Sequence, residues 1–160
     1  MLLEILIILV TAIIFLIYPL LASDNDEKKL VDKEKYLLSQ LNLKARAVIN
    51  HIQLKKAFVQ DKAFLVPRYN LFATKSVCRN EINNANEYNI YIVLRKEGKF
   101  YDGNTLIFAT LHEIAHIIVP DGFRGHPEFE ETEKLLLLTA FQLGYYDPNH
   151  SIDPKYPHSK

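Results

Sequence analysis

Residues Ile5 to Ala22 form a run of 18 side chains without a formal charge, and no other stretch limits the possible folds so strongly. As a helix rising roughly 1.5 Å per residue the run covers about 27 Å. That is close to the lower limit for crossing a hydrocarbon core of about 30 Å. The reading is an N-terminal transmembrane helix over residues 2–22 that anchors the chain in a membrane. A buried helix of a soluble domain is one alternative, but uniform apolarity fits poorly with a partly wet surface. A cleaved signal peptide is another. It lacks support from the Met1-Leu2-Leu3-Glu4 start, which has no Lys or Arg, and from Leu20, large for the position three before a cut after Ala22. Lys28, Lys29, Lys33 and Lys35 follow the run and no Lys or Arg precedes it, which places the C-terminal part on the cytoplasmic side.

Past the run, residues 23–62 read as helix. Leu30, Leu37, Leu41, Val48 and Ile52 recur at roughly helical spacing with charged residues between them. The segment is a stalk or a helix packed on the following core. Packing is favoured, because clean heptads with charged flanks are not sustained. Ala63 to Arg79 reads as one or two short strands broken by Pro67, and the asparagine-rich stretch Asn80 to Asn89 as a loop. Ile90, Tyr91, Ile92, Val93 and Leu94 form a strong β run, followed by a charged turn around Lys96, Glu97 and Gly98. As an edge strand this run would pair with an extended peptide substrate; an internal strand is the equal alternative. Residues 63–146 make the core and residues 147–160 a Pro-rich tail.

The chemistry is concentrated between Thr105 and Val119. Asn104 suits an N-cap there, and Pro120-Asp121-Gly122 suits a stop. The segment contains His112-Glu113-Ile114-Ala115-His116, an HExxH pattern. Four residues turn a helix by about 400°, so the two imidazoles share one face and can bind one Zn²⁺. Glu113 stands one residue on, where it flanks the ion and can take a proton from a water. A buried, hydrogen-bonded His/Glu group without metal is the structural alternative.

A hydrolytic zinc site needs three protein ligands and an open position. His126 is the candidate third ligand, between Gly125 and Pro127 at the start of a second helix over about Pro127 to Leu143. Glu128, Glu130, Glu131 and Glu133 crowd the opening turns of that helix, where its dipole favours them. Glu130, Glu131 or Glu133 is the competing third ligand. Cys78 is the sole cysteine, which excludes an intramolecular disulfide and a Cys-rich zinc site.

The stretch LHEIAHIIVPDGFRGHPEF resembles the WLM and SprT-like zinc metallopeptidases, and most of all the small metallopeptidases of that kind encoded by large DNA viruses. Those share an apolar HELAH helix, a short Pro-containing loop, a Gly-His and an aromatic residue opening a second helix. Ile90 to Arg95 and Ala140 to Tyr146 are also similar, so the likeness covers roughly residues 90–146. It implies a minimal zincin-like α+β core, His112, His116 and His126 as zinc ligands and Glu113 as general base. The loop from His116 to His126 is longer than is usual in these families, and Phe129 follows His126 by three residues instead of four.

Lys+Arg 19 against Asp+Glu 19 gives a formal charge of zero, so no nucleic-acid partner is expected. The expectation is a membrane-anchored, zinc-dependent peptide hydrolase, in a virion or host membrane if viral, acting on a peptide or protein. The alternative is a non-enzymatic zinc-binding or structural membrane or virion protein.

Overall fold

The computed structural model describes residues 27–55, 65–119 and 126–157 with their side chains, and residues 2–26 and 56–59 as helical backbone. The chain divides into two units, Met1–Tyr36 and Leu37–Lys160. Helix α1 (Leu2–Val59) contributes to both.

In the first unit the described side chains, from residue 27 onward, are mostly exposed; Tyr36 is 62% accessible. The separate transmembrane helix expected over residues 2–22 requires correction. Those residues belong to α1, a 58-residue helix, and among the described residues no helix is long and apolar enough to cross a membrane. The described part of α1 opens with the charge-rich Glu27-Lys28-Lys29, which rules out an apolar span there. The side chains of the apolar run itself lie outside the described residues.

The second unit is α+β. The later part of α1 presents Leu41, Ala45, Val48, Ile49 and Ile52, a stripe at helical spacing that is buried in the core. Among the described residues five strands and two helices follow: β1 (Tyr69–Thr74), β2 (Arg79–Ile82), β3 (Tyr88–Val93), β4 (Arg95–Lys96), β5 (Lys99–Phe100), α2 (Gly103–Ile118) and α3 (Pro127–Gln142). β1, β3 and β2 form a three-stranded sheet in that spatial order, and β4 pairs with β5. β1 runs parallel to β3, with Tyr69 opposite Tyr88 and Thr74 opposite Val93. β2 runs antiparallel to β3, with Asn80 opposite Ile90.

This order corrects the edge-strand expectation for Ile90, Tyr91, Ile92, Val93 and Leu94. β3 is the central strand, paired with β1 over Tyr88–Val93 and with β2 over Tyr88–Tyr91, so it is not an edge strand. Its β-branched residues explain the placement: Ile90 and Ile92 are fully buried, as a strand covered by helices requires. Leu94, past the strand, is also buried and accepts the Tyr101 amide at 3.0 Å. The loop expected from Asn80 to Asn89 shrinks to a turn. Asn83 Oδ1 accepts the amides of Ala85 (2.9 Å) and Glu87 (3.0 Å), and Asn86 takes a positive φ of 56°. The first asparagine, Asn80, is drawn into β2 by pairing with β3.

Asp102, not Asn104, caps α2. Its carboxylate accepts the Thr105 amide at 2.9 Å and the Thr105 hydroxyl at 2.6 Å. Asn104 instead fastens the C-terminal segment: its Nδ2 donates to the carbonyls of Asp147 (3.1 Å) and His150 (3.2 Å), and its Oδ1 accepts the Asp147 amide at 2.7 Å. Further along that segment Tyr156 is 3% exposed and donates its hydroxyl to the Val93 carbonyl at 2.9 Å. Gly144, at φ 72°, ends α3 by placing its own amide on Phe141 O and the next amide on Ala140 O.

Candidate functional site

Every side chain of α2 from Ala109 to Ala115 is buried, so the polar residues there must find partners inside the protein. His112 and His116 are one turn apart, their ring centroids 4.8 Å apart and the planes at 87°. Phe129 of α3, 1% exposed, lies against both: 4.4 Å from His116 and 5.5 Å from His112. Phe108, one turn earlier on α2, stacks on His112 at 5.9 Å and on Tyr146 at 6.5 Å. The two imidazoles therefore sit among aromatic rings that keep bulk water away.

Glu133 of α3 places Oε1 2.6 Å from His112 Nδ1. In the neutral imidazole this acceptor holds the proton on Nδ1 and leaves the lone pair on Nε2, which is buried, as is His116 Nε2. Glu113 is wholly buried, and Asn80 Nδ2 donates to its Oε2 at 3.2 Å. That donation fixes the plane of the group. Two imidazoles, one of them oriented by a carboxylate, and an adjacent buried carboxylate match in kind the donors that zinc takes.

Of the residues singled out in the sequence, His112, Glu113 and His116 share this site. His126 caps the N-terminus of α3 in extended conformation (φ −80°, ψ 122°), half-buried, with Nδ1 buried. Among the described residues no group of three or more His, Cys, Asp or Glu side chains is arranged to hold a metal ion. Glu130 and Glu131 are exposed at the start of α3. Glu133 meets the site through His112 Nδ1. Ile90 and Ile92 belong to the core beneath α2.

Sequence reading missed Asn80 and the orienting role of Glu133. Glu133 lies four residues after Phe129, hence on the same helix face, and that spacing was a usable signal. For Asn80 no local signal exists, since its contact depends on β2 joining the sheet. Behind Glu113 sits a second buried cluster. Cys78 Sγ is 3.2 Å from Tyr156 Oη and accepts the Val93 amide at 3.4 Å. Burial pushes the Cys78 thiol up, against the lowering effect of its hydrogen bonds with Tyr156 and the Val93 amide. Burial likewise pushes the Tyr156 phenol far above its ordinary value. Both stay protonated and neutral, which suits a structural clasp and not a nucleophile.

No family model matches the chain, and no solved structure does. Two viral proteins are similar over part of it. Uncharacterized protein 042R of Invertebrate iridescent virus 3 is 41% identical over 59 residues, 36% of this chain and 36% of that protein. Uncharacterized protein 136R of Invertebrate iridescent virus 6 is 41% identical over 61 residues, 38% of this chain and 33% of that protein. The matched part thus spans about a third of the length of these relatives.

Proposed function

We propose that this chain is a zinc-dependent peptide hydrolase of the WLM and SprT-like kind. The observation that carries the reading is the 2.6 Å bond between Glu133 and His112 Nδ1. A carboxylate on the outer nitrogen of a buried histidine, one turn from a second histidine, is the arrangement that raises imidazole basicity toward a metal and fixes the ring for it. His112 and His116 hold the ion in this reading. His126 completes the set from the start of α3, the helix that already brings Phe129 and Glu133 to the pair.

A bound zinc ion supplies acidification of a water and polarisation of the scissile carbonyl. Glu113 takes the proton of the attacking water on its carboxylate and returns it to the departing amine nitrogen. Asn80 holds that carboxylate in one plane through the bond to Oε2. Phe108 and Phe129 restrict solvent around the imidazoles.

The test is metal content and turnover of the purified full chain on an unstructured protein substrate. Wild type carries zinc and hydrolyses, and His116→Ala loses the metal. Glu113→Gln keeps the metal and loses about 10²–10⁴-fold in rate. A wild-type chain that takes up no zinc ends the proposal, as does a Gln variant as fast as wild type. Zinc retained without hydrolysis in the wild type supports the non-enzymatic zinc-binding alternative.

A further inference from the structure

Tyr69 opens β1 opposite Tyr88 of β3 and is 9% exposed. Its hydroxyl is buried, and among the described residues it has no hydrogen-bond partner. Leaving a buried hydroxyl unsatisfied is costly, so such groups in folded proteins have a partner of some kind. Tyr69 lines a cavity of about 320 Å³ where α1 meets the start of β1. Arg46 lines it from α1, Val66, Pro67 and Arg68 from the approach to β1, and Glu87 from the turn before β3.

The charged groups divide unequally. Arg68 Nη1 is 4.0 Å from Glu87 Oε1, and Asn70 Nδ2 donates to Glu87 Oε2 at 3.3 Å. Arg46 gives its Nε to Asn42 Oδ1 at 3.2 Å, and among the described residues no carboxylate pairs with it. Arg68 and Glu87 cancel, so the charge of Arg46 is left over. Burial pushes the Tyr69 phenol up to about 12, against the lowering effect of the nearby Arg46 charge. The hydroxyl therefore keeps its proton at neutral pH and is a donor.

We infer that this cavity binds a small monocarboxylate with a short apolar tail. The terminal nitrogens of a guanidinium form a fork that matches the two oxygens of a carboxylate. Donation from Tyr69 Oη to one of those oxygens gives the buried hydroxyl its partner. One left-over positive charge answers a monoanion, whereas a phosphate dianion would exceed it. Val66 and Pro67, both half-buried, offer an apolar tail a surface to lie on. The volume falls at the small end of the range for small-ligand sites, roughly 300–1,000 Å³. Both walls are set in advance: β1 pairs with β3 along its length, and Ile49 of the α1 wall is buried in the core. The inference stands apart from the hydrolase proposal, and either can fail alone.

The test is calorimetric titration of the full chain in EDTA, which keeps a metal from taking the carboxylate. The probes are hexanoate, hexanamide, inorganic phosphate and acetyl-Gly-Leu. Hexanoate saturates one site per chain. Hexanamide, which has the same shape without the charge, and phosphate bind about tenfold or more weakly. Arg46→Gln and Tyr69→Phe each weaken hexanoate by about tenfold. Lys134→Gln, on α3 and outside the lining, leaves it unchanged. Urea unfolding gives a second reading. Without ligand Tyr69→Phe is as stable as wild type, as loss of an unpartnered hydroxyl requires, and it gains less stability from hexanoate. Absence of saturable hexanoate binding overturns the inference, and so does hexanamide or phosphate binding as tightly. Tighter binding of acetyl-Gly-Leu overturns the free acid in favour of a peptide terminus. A Tyr69→Phe chain that binds hexanoate like wild type, or that is much less stable without it, also overturns the inference, because the hydroxyl then serves the fold and not the ligand.

Discussion

Helices α2 and α3 have the same length, 16 residues, and opposite relations to solvent. Eleven residues of α2 are buried, but only four of α3: Phe129, Leu136, Thr139 and Ala140. The buried helix carries polar side chains, so His112 and Glu113 depend on groups from elsewhere, Glu133 from α3 and Asn80 from β2. The half-exposed helix can send one face to the site and leave the other in water. Under the hydrolase proposal the contrast separates two tasks: α2 would supply the reacting groups in a dry setting, and α3 the residues that orient them.

Truncation should reveal the asymmetry most strongly. Leu111→Ala, at a fully buried position of α2, should cost about 2–5 kcal/mol. Leu138→Ala, 49% exposed on α3, should stay within about 0.5 kcal/mol. Urea unfolding of both variants measures the difference, and equal costs would erase the contrast. Glu133→Gln comes next, since it keeps the shape but removes the charge that bonds His112. The fold should persist while zinc affinity, read by competition with a chelating dye, falls about 10–100-fold. An unchanged affinity would mean that α3 does not orient the site.

The smallest effect concerns the start of α2. Burial works against ionisation of Asp102, but bonds from the Thr105 hydroxyl and amide, the Asn104 amide and the nearby His150 outweigh it, so the carboxyl titrates below its ordinary 3.8. A depressed acid stabilises the fold above its unfolded value and loses that contribution as pH falls through the folded value. Asp102→Ala should therefore cost about 1 kcal/mol at neutral pH, typical of a lost cap. The gap between variant and wild type should close as pH falls below about 4. A gap that persists in acid would assign the loss to something other than the charged cap.

What was legible in the sequence was what neighbours along the chain decide. The apolar period around HExxH placed α2 within two residues of its observed bounds, and Pro127 and Gly144 marked the two ends of α3. The charged turn after the β run is the Glu97–Gly98 hairpin. Choices made by distant residues were not legible. Asp102 and Asn104 are both good caps by type, and the 147–150 segment claims Asn104 for its own carbonyls. Asn80 is a loop residue by composition and a strand residue because β3 pairs with it. Tyr156 sits in a stretch with Pro154 and Pro157 that reads as tail, yet its ring fills the core. The strand order that puts β3 in the middle follows from pairing with both β1 and β2, which periodicity does not encode.

The Tyr156 clasp also sets an order of events during synthesis. Cys78 and Tyr156 meet across 78 positions, and Val93 and Tyr156 across 63. On the ribosome the strands and α2 emerge well before the residue that closes over Cys78 and Val93. Long-range closures of this kind are slow steps, because chain entropy is lost before the contact repays it. Until residue 156 leaves the exit tunnel, the nascent sheet lacks this hydroxyl and this ring. A stretch translated after α2 thus completes a layer laid down much earlier.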